Sequence, residues 1–235
     1  MTASIEDSAP LRRADDGTES AERVPLTAFR PASTPRGGIV VLHESRDFSP
    51  ALLDFMRALA EDGWLVAAPH LFHRAASDDE VFGDALFEDF DATVTWLTGH
   101  GVYADTIGVI GFDDAGTAAA LVATDRPVGA AVSVAAPGIV EPLTADARAL
   151  IDAAPSLQAP WLGLYGQGDE RIPAAHVDRL RDAVAEAPVA TLVVSYDGLD
   201  HRPDEVSPES GTTAGEDAVV DAQRRIFDWF DSHLR

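Results

Sequence analysis

The stretch Gly111-Phe112-Asp113-Asp114-Ala115-Gly116 sets small residues on both sides of one central carboxylate, Asp113. Such a stretch lets a strand turn sharply into a helix, leaving the side chain at the turn exposed. Further along, Asp169 follows one apolar run and His201 follows the last, giving the order turn residue, acid, histidine. A histidine oriented by a carboxylate can move a proton, and a residue exposed on the turn can attack a substrate. A carboxylate adding to an ester carbonyl would give an anhydride, an unpromising intermediate. Attack on a saturated carbon gives an ordinary ester, with loss of halide or opening of an epoxide. His201, oriented by Asp169, could then activate the water that hydrolyses this ester. The structural alternative is that Asp113 or Asp114 serves only as a helix cap, accepting backbone N–H bonds and complementing the dipole.

Positioning these groups requires strands that end where they begin. Apolar runs at 38–43, 64–68, 106–110, 129–135, 161–165 and 191–195 read as strands. Between them lie helical patterns: one opened by Ser49 and Pro50 and carrying Leu52, Phe55, Met56 and Leu59, one from about Asp79 to Leu97, and one over 115–123. Another starts at Ile172-Pro173, and a long amphipathic helix carries Val219, Gln223, Ile226, Phe227, Phe230 and Leu234. Strands apolar on both faces and alternating with helices imply one α/β domain with a mainly parallel sheet covered on both sides. Chemistry in such sheets sits at the carboxyl ends of the strands. Residues 1–22 read as a disordered acidic tail ahead of the domain at 23–235.

The 235 residues carry 40 Asp+Glu against 17 Lys+Arg, a net charge of −23, and every one of those cations is Arg. This balance argues against nucleic acid and against an anionic membrane surface, both of which need a positive footprint. The absence of cysteine excludes disulfides, thiolate metal sites and a thiol nucleophile. With no apolar run of membrane-spanning length and no signal peptide at the amino terminus, the expectation is a soluble cytoplasmic protein, monomer or homodimer. Its partner would be a small-molecule substrate, with no cofactor required. The remaining charge is read as solvated helix faces and the acidic loop at 204–217.

Several stretches together resemble the dienelactone hydrolase family: Gly-Ile-Val-Val-Leu-His-Glu (38–44), Ala-Ala-Pro-His-Leu-Phe-His-Arg (67–74), Val-Ile-Gly-Phe-Asp-Asp-Ala-Gly (109–116), Leu-Tyr-Gly-Gln-Gly-Asp-Glu-Arg-Ile-Pro (164–173) and Tyr-Asp-Gly-Leu-Asp-His (196–201). The resemblance implies an α/β-hydrolase fold and a catalytic triad of Asp113, His201 and Asp169, with Asp113 standing where the family carries Cys or Ser. It also implies that Glu44 interacts with the nucleophile and that Arg74 holds an anionic substrate. The backbone N–H groups of Ser45 and Asp114 would form an oxyanion hole. The family's second substrate-binding arginine has no match, since Arg202 adjoins His201 directly.

With Glu44, Asp113 and Asp114 in one pocket, one carboxyl is expected to titrate upward, either Glu44 or Asp113. Crowded carboxylates could also hold a hard divalent cation, a weaker reading because no ligand spacing supports it. His43 reads as a hydrogen-bonded structural residue, His70 and His73 as polar loop residues, and Arg171 as a surface partner of Asp169 or Glu170. The reading is therefore a hydrolase acting on a small, possibly anionic ester or lactone, or on a halide or epoxide. The alternative is a non-catalytic relative that binds a ligand or partner.

Overall fold

The computed structural model describes residues 4–12, 19–74, 82–197, 199–202 and 213–234. Eight strands form one sheet: β1 (Ser4–Arg12), β2 (Glu19–Phe29), β3 (Gly38–Leu42), β4 (Leu65–Pro69), β5 (Ile107–Phe112), β6 (Ala130–Val134), β7 (Trp161–Gly166) and β8 (Thr191–Tyr196), in the order β1-β2-β4-β3-β5-β6-β7-β8. Pairing is antiparallel for β1/β2 and β2/β4 and parallel elsewhere. Every residue of β3 to β7 is buried, which is why these strands read as unbroken apolar runs. The edge strand β8 is only partly covered.

The helices are α1 (Pro50–Glu61), α2 (Asp84–Gly99), α3 (Asp114–Asp125), α4 (Leu150–Ala153), α5 (Ala174–Val184) and α6 (Thr213–His233). In α1, Ser49 Oγ accepts the Leu52 N–H and Pro50 opens the first turn, the start its sequence predicts. Two neighbouring strand positions show which layer each helix joins. A side chain at Gly38 would meet Leu97 of α2, whereas one at Gly108 would lie 2.7 Å from the Phe230 ring of α6. Gly108 pairs with Ile39, the residue after Gly38, so the two positions face opposite sides of the sheet. Thus α2 lies on one face and α6 on the other, where Phe227 of α6 meets Phe55 of α1 edge-on. On α6, Ala222 rather than Gln223 completes the buried stripe.

The amino-terminal tail is a correction. Residues 4–12 and 19–22 belong to a hairpin that extends the sheet, with Ile5 opposite Ala28 and Ala9 opposite Val24. Ile5, Ala9 and Leu11 alternate with polar residues, and Ala9 and Leu11 are buried against α2's face. Asp7 lies on that same face and accepts the Trp96 indole N–H at 2.8 Å. Because half of each strand faces water, composition alone reads as a tail. Residues 79–81 of the expected second helix, and 204–212 of the acidic loop, lie outside the described residues. Among the described residues no helix is long and apolar enough to cross a membrane.

Candidate active site

Four carboxyl-terminal strand ends meet at one place. Glu44 and Ser45 follow β3, Asp113 joins β5 to α3, Asp169 follows β7 and His201 follows β8. At Asp113 the backbone takes φ 56° and ψ −130°, a region that non-glycine residues rarely enter. Such a conformation costs about 1–3 kcal/mol and persists only where surrounding structure enforces it. Here Asp113 N–H donates to Val134 O at 3.0 Å and its carbonyl accepts from Gly116 N–H at 2.8 Å. The turn is tight enough that a Cβ at Gly111 would lie 2.0 Å from the Ala115 carbonyl oxygen, so glycine is required there.

The Asp113 side chain makes no capping bond to α3. One oxygen lies 2.6 Å from His201 Nε2 instead, and His201 Nδ1 lies 2.5 Å from Asp169 Oδ2. Asp169 is buried, and its other oxygen accepts the Arg171 N–H at 2.8 Å. Main-chain bonds from Gly166 to His201 O and from Gly168 to Leu199 O tie the β7 and β8 loops together. The three predicted triad residues therefore form one connected chain, with the His201 side chain 34% exposed at its open side.

Charge follows this geometry. His201 is pushed up to about 9, first by its hydrogen bond to Asp113 and then by Asp169, against the opposing effect of burial. Burial acts to raise Asp113, but His201, Arg202 and Arg171 outweigh it and hold the carboxyl below its usual value. The contacts to both ring nitrogens thus favour the protonated imidazole. Glu44 is the group that titrates upward, to about 7, because of burial and then the charges of Asp114 and Asp113. Its Oε1 accepts the Ala115 N–H at 3.1 Å, and the Asp114 N–H also faces it, so its carboxyl covers the amino terminus of α3.

Two expectations change. Ser45 N–H donates to His43 Nδ1 at 2.9 Å, and Glu44 covers the α3 donors, so the expected pair of oxyanion donors is already engaged. Arg74 does not stand free to anchor substrate. It pairs with Asp89 at 2.8 Å, Glu22 at 3.2 Å and Glu88 at 3.4 Å. Asp89 is fully buried, and a buried carboxylate needs such a counter-charge. His73 contacts the same carboxylate at 3.2 Å, while His70 meets Thr27 Oγ1 at 2.9 Å and stacks on Phe48. The cations beside Asp113 are Arg171 and Arg202, neither of which the sequence reading placed there. Their one legible signal was position: Arg171 lies two residues after Asp169, and Arg202 next to His201.

An eight-stranded, mainly parallel sheet with a strained strand-to-helix turn, followed by acid and histidine in that order, defines an α/β-hydrolase. The family model of the dienelactone hydrolase family matches residues 25–234, and the chain belongs to that family. It is 30% identical over 230 residues to a Methylorubrum extorquens protein named "Putative carboxymethylenebutenolidase", covering 87% of this chain and 76% of that one. A Yersinia pestis protein of the same name is 27% identical over 210 residues, 83% of this chain and 78% of the relative. Among solved structures, the "Putative Dienelactone Hydrolase" of Klebsiella pneumoniae superposes with a TM-score of 0.79 at 25% identity, covering 98% of this chain and all (100%) of that one.

Proposed function

We propose that this hydrolase uses Asp113 as a nucleophile toward a saturated carbon, with His201 as base and Asp169 orienting it. The observation that carries the reading is the unbroken Asp113–His201–Asp169 chain at the strained turn. A residue that only capped α3 would turn its carboxylate to the helix, and Asp113 turns away from it. In the first step Asp113 Oδ2, the oxygen away from His201, bonds to the substrate carbon and the leaving group departs with its electron pair. This step forms no oxyanion, so it does not need the α3 donors that Glu44 covers.

Ester formation also readies the base. Asp113's hydrogen bond is the leading cause of His201's raised pKa, with its charge a further one, and esterification removes the charge and weakens the bond. His201 then releases its proton and becomes neutral at physiological pH. It can take a proton from water as the oxygen adds to the Asp113 carbonyl carbon. Arg171 Nη1, 3.9 Å from Oδ1, faces the carbonyl oxygen on which negative charge then develops. Collapse releases the alcohol, which takes the proton, and the regenerated acid ionises against His201. The balance is a substrate R–X plus water giving R–OH, X⁻ and a proton.

The relatives' name, carboxymethylenebutenolidase, points to a lactone as the alternative substrate. An anhydride on Asp113 and the engaged donors both weigh against that route here. To test the proposal, wild type and His201→Gln are incubated with a panel of haloalkanes, 2-haloacids, epoxides and activated esters. The expected result is turnover of halides by wild type, and in His201→Gln an ester that accumulates on the peptide bearing Asp113, seen by mass spectrometry. Turnover of esters alone, with no adduct from any alkylating substrate, would overturn it.

A further inference from the structure

Two guanidinium groups converge on Asp113 from separate loops. Arg171 Nη1 lies 3.9 Å from Asp113 Oδ1, and its Nη2 lies 3.6 Å from Asp114 Oδ1. Arg202 Nη1 lies 3.8 Å from Asp113 Oδ2, with the guanidinium over the Phe112 ring at 4.4 Å. These separations exceed hydrogen-bond length, so both cations act on the charge of Asp113 without being bonded to it. The two differ in freedom: the Arg202 side chain is 14% exposed and stacked, whereas that of Arg171 is 60% exposed. One is a fixed wall and the other an arm reaching into solvent.

We infer that Arg171 and Arg202 form the receptor for the small anion expelled from the carbon that Asp113 attacks. The inference rests on Asp113 being the nucleophile, and follows from conservation of charge. Before attack, the Asp113 carboxylate faces both guanidinium groups, and Asp114 faces Arg171 as well. When the Oδ2–C bond forms and the C–X bond breaks, the electron pair leaves on X and Asp113 becomes a neutral ester. Each cation then faces one negative charge fewer at the instant a new anion forms across the attacked carbon from Oδ2, where the long Arg171 side chain can turn to meet it. An anion placed there replaces the lost interaction, which lowers the barrier to bond breaking. Arg171, being exposed, can carry the product outward.

This arrangement also narrows the substrate class. The leaving group must become a free, small anion, halide foremost. An epoxide keeps its oxygen on the substrate and releases no free anion, so it gains nothing from the receptor at this step. The remaining carboxyls around the site, Glu44 and Asp114, oppose an anion. Glu44 is raised to about 7 by burial and its acidic neighbours, and Asp114 has Arg171 beside it, which limits that opposition.

The test needs no turnover. Asp113→Asn reproduces the neutral state of the ester while keeping the shape of the side chain, and asparagine tolerates positive φ. Chloride binding is followed by chlorine-35 line broadening at constant ionic strength. Asp113→Asn should bind chloride at least about tenfold more tightly than wild type, since removing a charge some 4 Å away is a large perturbation. Adding Arg202→Gln should abolish most of that gain, and adding Arg171→Gln should lower it several-fold. Equal broadening by wild type and Asp113→Asn, or a gain that survives both arginine changes, would sink the inference. Acetate binding to Asp113→Asn far more tightly than chloride would also overturn it, marking the arginines as an anchor for a substrate carboxylate. If chloride binds as expected while halides form no ester, the arginines are an anion site, but the nucleophile assignment falls and the leaving-group role falls with it. If the ester forms but chloride does not bind, the nucleophile assignment stands and the receptor falls.

Discussion

Among the described residues, two buried aspartates each meet a histidine, and the two pairs differ in their fates. His201 meets the buried Asp169, and His73 meets the buried Asp89. In the first, the other imidazole nitrogen reaches Asp113 on the strained turn, and 34% of the ring side chain is open to solvent. In the second, the His73 side chain is 9% exposed and Arg74 lies 2.8 Å from the same carboxylate. Burial raises the pKa of Asp89, opposed first by Arg74. The third partner decides what a pair can do. A second carboxylate at a partly open histidine raises that histidine's pKa and makes it depend on the state of the carboxylate. A guanidinium instead neutralises the buried charge and joins the β4 loop to α2 and β2.

The sharpest way to break this contrast is to remove each histidine in turn. His201→Gln should lower turnover at least about a thousandfold, the scale of removing a base from a coupled triad. His73→Gln should leave turnover per folded molecule unchanged, and comparable losses in both variants would erase the distinction. Stability should show the opposite order. Arg74→Met leaves Asp89 buried with His73 alone and should cost about 3–5 kcal/mol in urea unfolding, the cost of breaking a buried pair.

A smaller effect comes from Glu44, whose pKa is raised from 4.5 to about 7 in the folded state. Between those values the native protein binds more protons than the unfolded chain, so stability falls as pH rises and then levels off above 7. Glu44→Gln removes that loss and should stabilise by about 1–2 kcal/mol at pH 8, after allowance for solvent screening, and by nothing near pH 4. A stabilisation that does not change with pH would contradict the assignment.

His201 supplies the finest comparison. With its pKa raised from 6.5 to about 9, its contribution is fully present below 6.5 and is lost as pH rises through 9. Nuclear magnetic resonance titration of the ring should return a value near 9 in wild type and a lower one in Asp113→Asn. An unchanged value would mean that Asp113 does not set the charge of His201.

Much of the fold was legible because buried parallel strands are apolar on both faces, and runs such as 38–42 and 107–112 admit few other readings. The β1–β2 hairpin was not, since its exposed face supplies enough polar residues to hide the alternation of Ile5, Ala9 and Leu11. Asp113, Asp169 and His201 were legible because each directly follows a recognisable strand or turn. Arg74 was misplaced for a different reason. Its position in a familiar stretch carries no record of Asp89, fifteen residues away and turned into the core.

By itself the sequence determined the alternation of strands and helices, the order of turn residue, acid and histidine, and the presence of a carboxylate at the turn. These are local properties, written in residue type and spacing. Only the tertiary structure decided which charge faces which. It set Arg171 and Arg202 beside Asp113, gave Arg74 to Asp89 and laid Glu44 across the start of α3. Long polar side chains reach several ångströms in many directions, so their partners depend on how distant loops are brought together. In a chain of net charge −23, that placement of a few arginines separates the carboxylate on the turn, still in contact with a half-open histidine, from the one neutralised in the core.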